Sequence, residues 1–406
     1  MNDAAAFRRA AALAAEPVLA GVLAFLNPER EETRIVGGAV RNALIDVPVQ
    51  DVDLGTTLTP DQVTRLAKAA GWQVVPTGIE HGTVTLVQAG RSFEVTTLRE
   101  DIETDGRRAV VRFGRDFSHD AARRDFTINA LSLGQDGRIH DYFGGLDDLA
   151  ARRVRFIGDA GQRLREDYLR GLRFFRFSAA YGHGALDEAG LAAVIQHRAG
   201  FTQLSRERVR QEFLKLLVAE AALPVIEIAE VNGLLGEMLG FPLEVPVFRA
   251  ALRLSAQEKQ PLDALARLAA LARNHAGDGA AAWQARLRLS NAEIRTLHRL
   301  YAVRVAGDAS PRLMAYRFGE DAVAGLVLRT AVGIDPVAGL ATRLTGAMVP
   351  PVFRISGADF VAAGLHPGPI IGKALAEVEQ RWIIEGFPDG REAQLGLVEA
   401  VVKDLD

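Results

Sequence analysis

Through the first third of the chain, short runs of β-branched and apolar residues are punctuated by glycine turns: "TRIVGG", "QDVDLGT", "GWQVVPTG", "HGTVTLVQAG", "RSFEVTTL" and "ALSLGQDGRIHDY". Runs of this length between turn residues predict strands. The one helical pattern among them, "TPDQVTRLAKAAG", offers Thr59 as a cap and Pro60 at its first position. Residues 29–140 therefore predict a small domain built on a mixed or antiparallel sheet. After "DYFGGLDDL" the period becomes helical, and it predicts helix for almost all of 150–406, with breaks near "GDGA", "MVPPVFRISGAD" and "LHPGPIIG". One of these helices opens with a Ser290 to Glu293 capping box. Residues 1–28 read as a single amphipathic helix, whose acids Asp3 and Glu16, followed by Glu29, argue against a signal peptide or membrane span. The fold class is α+β.

Composition narrows the chemistry. At 406 residues the chain predicts two to four domains, and 49% apolar with 24% charged residues is the balance of a soluble protein, which we expect in the cytoplasm. There is no cysteine, so disulfides and thiolate metal sites are excluded. The net charge of −3 argues against a basic coat, yet residues 152–176 hold eight arginines against three acids, a local excess of five. Such a stretch can bind phosphate whatever the sum.

Four clusters carry candidate chemistry. In "TRIVGGAVRNAL" a strand, Gly37 and Gly38, and a helix start would turn backbone N–H groups toward an anion, with Arg41 one turn further on. The bland alternative is a tight turn. In "VPVQDVDLGT" Asp51 and Asp53 would share one strand face, about 6 to 7 Å apart. Paired carboxylates suit Mg²⁺, with water and a phosphate completing the shell, although a solvated strand face would look the same. Glu94 lies opposite the apolar Phe93 and Val95; if its strand neighbours that of Asp53, three carboxylates converge. Two ions about 3.5 to 4 Å apart could then hold an attacking oxygen and a leaving triphosphate in line.

"AARRDFTINAL" supplies Arg123 and Arg124 for phosphate and Asp125 and Asn129 for a sugar hydroxyl, or else a surface charge cluster. Finally, "LREDYLRGLRFFRF" predicts one helix carrying Asp167, Arg170 and Arg173 in an i, i+3 row continued by Arg176. A salt-bridged face is the plain reading. The sharper one is base recognition: a carboxylate accepting an exocyclic amino proton and a guanidinium donating to a bare ring nitrogen accept C and A and reject U and G.

These segments, together with "TGIEHGTVTL" and "SRERVRQEFLKLL", resemble in order the motifs of the class II, bacterial-type tRNA nucleotidyltransferases and poly(A) polymerases. The resemblance is dense over 30–220 and looser at "RISGADFVAAGLHPGPIIGKAL". It implies a nucleotidyltransferase head at 29–140, a base-reading helical neck at 141–220, a body at 221–330 and a tRNA-binding tail at 331–406, after the N-terminal helix. By motif match, Asp51 and Asp53 resemble metal ligands and Glu94 a third carboxylate. Gly38, Arg41, Arg123 and Arg124 look like triphosphate contacts, Asp167 and Arg170 the base-reading pair, and Arg173 and Arg176 its helpers. Asn42 stands where the family more often has Asp.

Within the family, "TGIEHGTVTL" resembles the branch that adds CCA to tRNA from CTP and ATP, using Mg²⁺. Residues 100–122 resemble the flexible loop tied to the switch from C to A addition. His275 in "RNHAGDG" is too isolated for the phosphohydrolase domain some relatives append, and His81 and His119 earn no role. The alternatives are a poly(A) polymerase and, in a different class, a catalytically silent RNA- or nucleotide-binding protein. A dinucleotide-binding oxidoreductase is set aside because the G-x-G-x-x-G spacing is missing. Nothing points to an obligate protein partner.

Overall fold

The computed structural model describes residues 4–79, 82–105, 108–272, 278–307 and 310–405. His81 and His275 lie outside the described residues. The chain separates into two compact units, Met1–Gly240 and Phe241–Asp406.

The first unit begins with two helices, α1 (Ala4–Ala14) and α2 (Pro17–Phe25), where a single helix is expected. Pro17 lacks the N–H and the conformational freedom to continue α1, and instead occupies the first position of α2, with the Glu16 carboxylate accepting the Leu19 N–H at 2.9 Å. A seven-stranded sheet follows, in the order β3-β4-β5-β2-β1-β8-β9. Its strands are β1 (Thr33–Val36), β2 (Asp53–Thr56), β3 (Gln73–Gly78), β4 (Thr83–Gln88), β5 (Arg91–Thr97), β8 (Ser132–Leu133) and β9 (Ile139–His140). The strands β6 (Arg99–Asp105) and β7 (Arg108–Phe113) pair separately as an antiparallel ribbon. Much of the segment that resembles the flexible loop, residues 100–122, is therefore paired strand in its backbone.

The sheet is mixed, as its pattern predicts: all pairings are antiparallel except β2 with β5. β1 is buried along its length because it lies between β2 and β8. Two short helices leave the sheet: α3 (Gly38–Leu44) directly after β1, and α4 (Pro60–Ala69), which has the expected Thr59 cap reinforced by Gln62. Then come α5 (Phe117–Ala122), α6 (Gly145–Ala150), α7 (Ala160–Glu166), α8 (Leu169–Tyr181), α9 (Glu188–Gln196) and α10 (Arg206–Leu217).

The single helix expected over 164–177 is two. Asp167 takes extended backbone, φ −158° and ψ 106°, and its carboxylate accepts the Leu169 N–H at 3.1 Å, opening α8. Asp167 therefore does not sit in a helical row with Arg170 and Arg173. The buried side of α8 is aromatic: the rings of Phe156 and Phe174 stack at 5.4 Å, and Phe126 lies 5.0 Å from Phe156 and 5.2 Å from Phe177. This cluster ties α8 to the segment following α5.

The second unit is helical throughout its described secondary structure, and Ser290 and Glu293 close the expected capping box before the helix Asn291–Val305. Near its end Trp382 is buried against Phe387, the rings 4.9 Å apart and edge-on, with the indole N–H donating to the Pro388 carbonyl at 3.0 Å. The stretches around 350–355 and 365–368 break the helices where the prolines and glycines predict.

Phe174 is fully buried among three other phenylalanines. Phe174→Ala is expected to destabilise the first unit by about 3 to 5 kcal/mol, measured by urea unfolding of the full chain.

Candidate active site

The sheet register puts the candidate acids and the glycine turn at one end. Val36, the last residue of β1, faces Asp53, the first of β2, and Asp53 in turn faces Glu94 across the parallel β2–β5 ladder. The expected neighbouring of the two acid-bearing strands is therefore met. Asp51 precedes the strand, and no group of three or more acidic or histidine side chains among the described residues is gathered closely enough to hold a metal ion.

Asp53 reaches solvent, but the walls around it and the charges of Glu94 and Asp51 raise its pKa; burial contributes most, and Arg124 pulls the other way. Carboxylates crowded in this way favour a cation between them.

The turn itself needs glycine. Gly37 has φ 70° and ψ −123°, and a Cβ there would sit 2.7 Å from Nη1 of Arg124. Arg124 and Arg123, at the end of α5, share one buried carboxylate. Asp120 accepts Arg123 Nε at 2.9 Å on one oxygen and Arg124 Nη2 at 3.1 Å on the other. The two guanidiniums hold Asp120 below the usual carboxylate range despite its burial.

Arg41 folds inward and is only 6% exposed. It donates to the side-chain oxygens of Asn129, Asn42 and Tyr181, and stacks 4.0 Å over the Tyr181 ring. Its hydrogen-bond acceptors are all neutral, and burial lowers its pKa.

Asn129 also donates to Asp125 at 3.0 Å, and Asp125 takes Arg173 at 2.6 Å. Glu212, from α10, then sits 3.4 Å from Arg173 and 2.6 Å from Arg176, the latter contact close but not aligned as a hydrogen bond. Burial alone would raise the Asp125 pKa; Arg173 and Asn129 more than offset it. Thus Asp125 and Asn129, offered by sequence to a sugar, are both engaged with protein partners.

All of this opens onto one cleft of about 610 Å³ within the first unit. One wall holds Gly37, Gly38, Arg41 and Asp53. A second is formed by Arg123, Arg124, Asp125 and Asn129, and the third by Asp167, Arg170, Arg173 and Arg176. Asp51 and Glu94 are not part of the lining.

Sequence reasoning missed Phe177 and Lys215, which also line the cleft, and the carboxylates Asp120 and Glu212 behind it. Lys215 and Glu212 both belong to "SRERVRQEFLKLL"; for Glu212 a charged residue on the buried side of an amphipathic helix was the available signal, while the exposed Lys215 gave none. His119 is exposed, 3.8 Å from Asp116. The arrangement can hold an elongated polyanion beside the Asp53 carboxylate, with the Asp167 carboxylate and the Arg170 guanidinium on another wall for a planar polar group.

Known proteins resemble this chain over most of its length. A family model described as "Poly A polymerase head domain" matches residues 33–155. The mouse protein "CCA tRNA nucleotidyltransferase 1, mitochondrial" is 34% identical over 392 residues, covering 91% of this chain and 87% of its own. A "CCA-adding enzyme" of Limosilactobacillus fermentum is 32% identical, covering 87% of this chain and 89% of its own. The crystal structure of Bacillus stearothermophilus CCA-adding enzyme in complex with CTP superposes with a TM-score of 0.73 at 26% identity, covering 95% of this chain and 97% of that one.

Asp53→Asn removes a carboxylate whose folded pKa is raised. Wild-type folding is helped by the protonated form below the ordinary aspartate value of 3.8, and that help is lost as pH rises through the folded pKa. The variant is therefore expected to melt slightly higher than wild type at pH 7, with the difference vanishing toward pH 3.5, in metal-free thermal scans. Screening by the open cleft keeps the shift small.

Proposed function

The chain belongs to the CCA-adding tRNA nucleotidyltransferases, and from that membership we propose how its cleft works. The enzyme adds C, C and A from CTP and ATP to the 3′ end of tRNA without a nucleic-acid template, releasing pyrophosphate. The observation that carries the assignment of residues is the single cleft shared by the Gly37 turn, Asp53 and the arginines of α8.

The triphosphate lies along the Gly37–Gly38 turn and the guanidiniums of Arg123 and Arg124, which spread its charge and keep it in one conformation. Arg41 adds a fixed positive charge from beneath. The base points toward Asp167 and Arg170, with Arg173 and Arg176 supporting that wall. Positioning of this kind, with the hydroxyl and α-phosphate held in contact distance, supplies much of the rate in phosphoryl transfer.

The family works with a divalent metal, and we propose Mg²⁺ here. Asp51 and Asp53, with Glu94 beside them, offer hard oxygen donors and an unrelieved negative charge at the sheet end, which fits such an ion. Fewer than three clustered protein ligands leaves coordination to phosphate oxygens and water. Two such ions held there would supply Lewis-acid activation of the tRNA hydroxyl and positive charge for the departing pyrophosphate.

The helical remainder, with its tail at 331–406, is proposed to grip tRNA by shape and backbone phosphates. No helix among the described residues is long and apolar enough to cross a membrane, and we propose that the enzyme acts in the cytoplasm.

The test presents tRNAs ending at the discriminator base, at C and at CC with Mg²⁺ and each triphosphate singly. C is expected on the first two and A on the third, with U and G refused. Asp51→Ala and Asp53→Ala should each lower kcat by about 10³-fold or more while tRNA binding persists. Equal use of UTP and GTP would remove the base-reading role, and long A tails on arbitrary RNA would favour a poly(A) polymerase.

A further inference from the structure

The Asp167 carboxylate is not paired with Arg170. Arg208, on α10 and outside the cleft lining, forks onto both its oxygens: Nη1 donates to Oδ1 at 3.2 Å and Nη2 to Oδ2 at 2.6 Å. Oδ1 also takes the Leu169 N–H at 3.1 Å. A carboxylate oxygen has room for about two hydrogen bonds, so Oδ1 is filled and Oδ2 keeps one acceptor position. Arg170 is fixed independently: Nη1 donates to Glu166 at 2.5 Å and to the Arg163 carbonyl at 3.1 Å, and Nη2 to the Arg123 carbonyl at 3.2 Å.

The separate anchoring matters because an Asp/Arg pair discriminates bases only in one register. Aligned with the exocyclic amino group and the bare ring nitrogen, it accepts cytosine and adenine. Slid one position along the edge, the same carboxylate accepts the ring N–H of uracil and the same guanidinium donates to the adjoining 2-carbonyl, whereas guanine would turn its 2-amino donor toward the guanidinium and is refused in either register. Chemistry alone does not forbid that slip; geometry must. Asp167 sits at a helix break and is partly exposed, so without the fork the Leu169 N–H on Oδ1 is left to hold its carboxylate, and one such bond does not fix where Oδ2 points.

We propose that Arg208 is a specificity-determining positioning residue: it touches no substrate but aims the one open acceptor of Asp167, and thereby fixes the register in which bases are read. This rests on the base-reading role of Asp167 proposed above.

The experiment measures kcat/KM for CTP and UTP on tRNA ending at the discriminator base, and for ATP and GTP on tRNA ending in CC. Wild type is compared with Arg208→Gln, Arg208→Lys and Asp167→Asn. Arg208→Gln is expected to reduce the CTP-to-UTP ratio by about tenfold or more, through gain of UTP use, while GTP stays refused, with an unchanged melting temperature. Arg208→Lys, which keeps the charge but not the fork, should fall between. An unaltered CTP-to-UTP ratio in Arg208→Gln, or an equal loss on all four triphosphates, overturns the proposal. If Asp167→Asn shifts the ratios and Arg208→Gln does not, the fork alone is wrong; if neither does, the base-reading role of Asp167 fails as well.

Discussion

The cleft depends on holding several guanidiniums within the span of one nucleotide although they repel one another. Three buried carboxylates make this possible. Asp120 joins Arg123 to Arg124, Asp125 takes Arg173, and Glu212 lies beside both Arg173 and Arg176. Each is less than 9% exposed. Buried ion pairs are weak evidence of stability, because desolvation consumes most of the attraction, but removing one partner leaves an uncompensated charge and is costly. Their effect here is geometric: Asp120 holds Arg123 and Arg124 together at the end of α5, and Arg173 on α8 lies between Asp125, just after α5, and Glu212 on α10.

Not all of the positive charge is cancelled. Arg41 is surrounded by neutral acceptors and an aromatic face, while Arg173 and Arg176 oppose its charge from nearby. The cleft is therefore built with surplus cation beside a sheet end that carries surplus anion. A triphosphate with its metal brings the complement of both. This division explains how a chain of net charge −3 can serve polyanionic substrates without a basic surface overall.

Much of this was legible in the chain because it is local. The alternation of Phe93, Glu94 and Val95 fixed which way Glu94 faces, and the capping signals at Thr59 and Ser290 marked helix starts that the structure shows. What pattern could not reveal is long-range. Nothing in "LREDYLRGLRFF" contains a glycine or proline before Gly171 to announce a break, since the break at Asp167 is stabilised by its own carboxylate and by Arg208, 41 residues on. Glu212 and Asp120 likewise read as ordinary helix charges until their distant arginine partners are known. Arg41 looked free to reach a phosphate, because a side chain over Tyr181 has no signature at position 41.

The parallel ladder between β2 and β5 carries a kinetic consequence. Asp53 and Glu94 meet only after a crossover of about forty residues has closed, and the cleft that Asp53 lines is completed by Lys215, far downstream. Contacts of such sequence separation form late. A ribosome that has released only the sheet has released Arg41, Arg123 and Arg124 with it but not the arginines of α8, so a growing chain completes its nucleotide cleft only when α8 and α10 have emerged and docked.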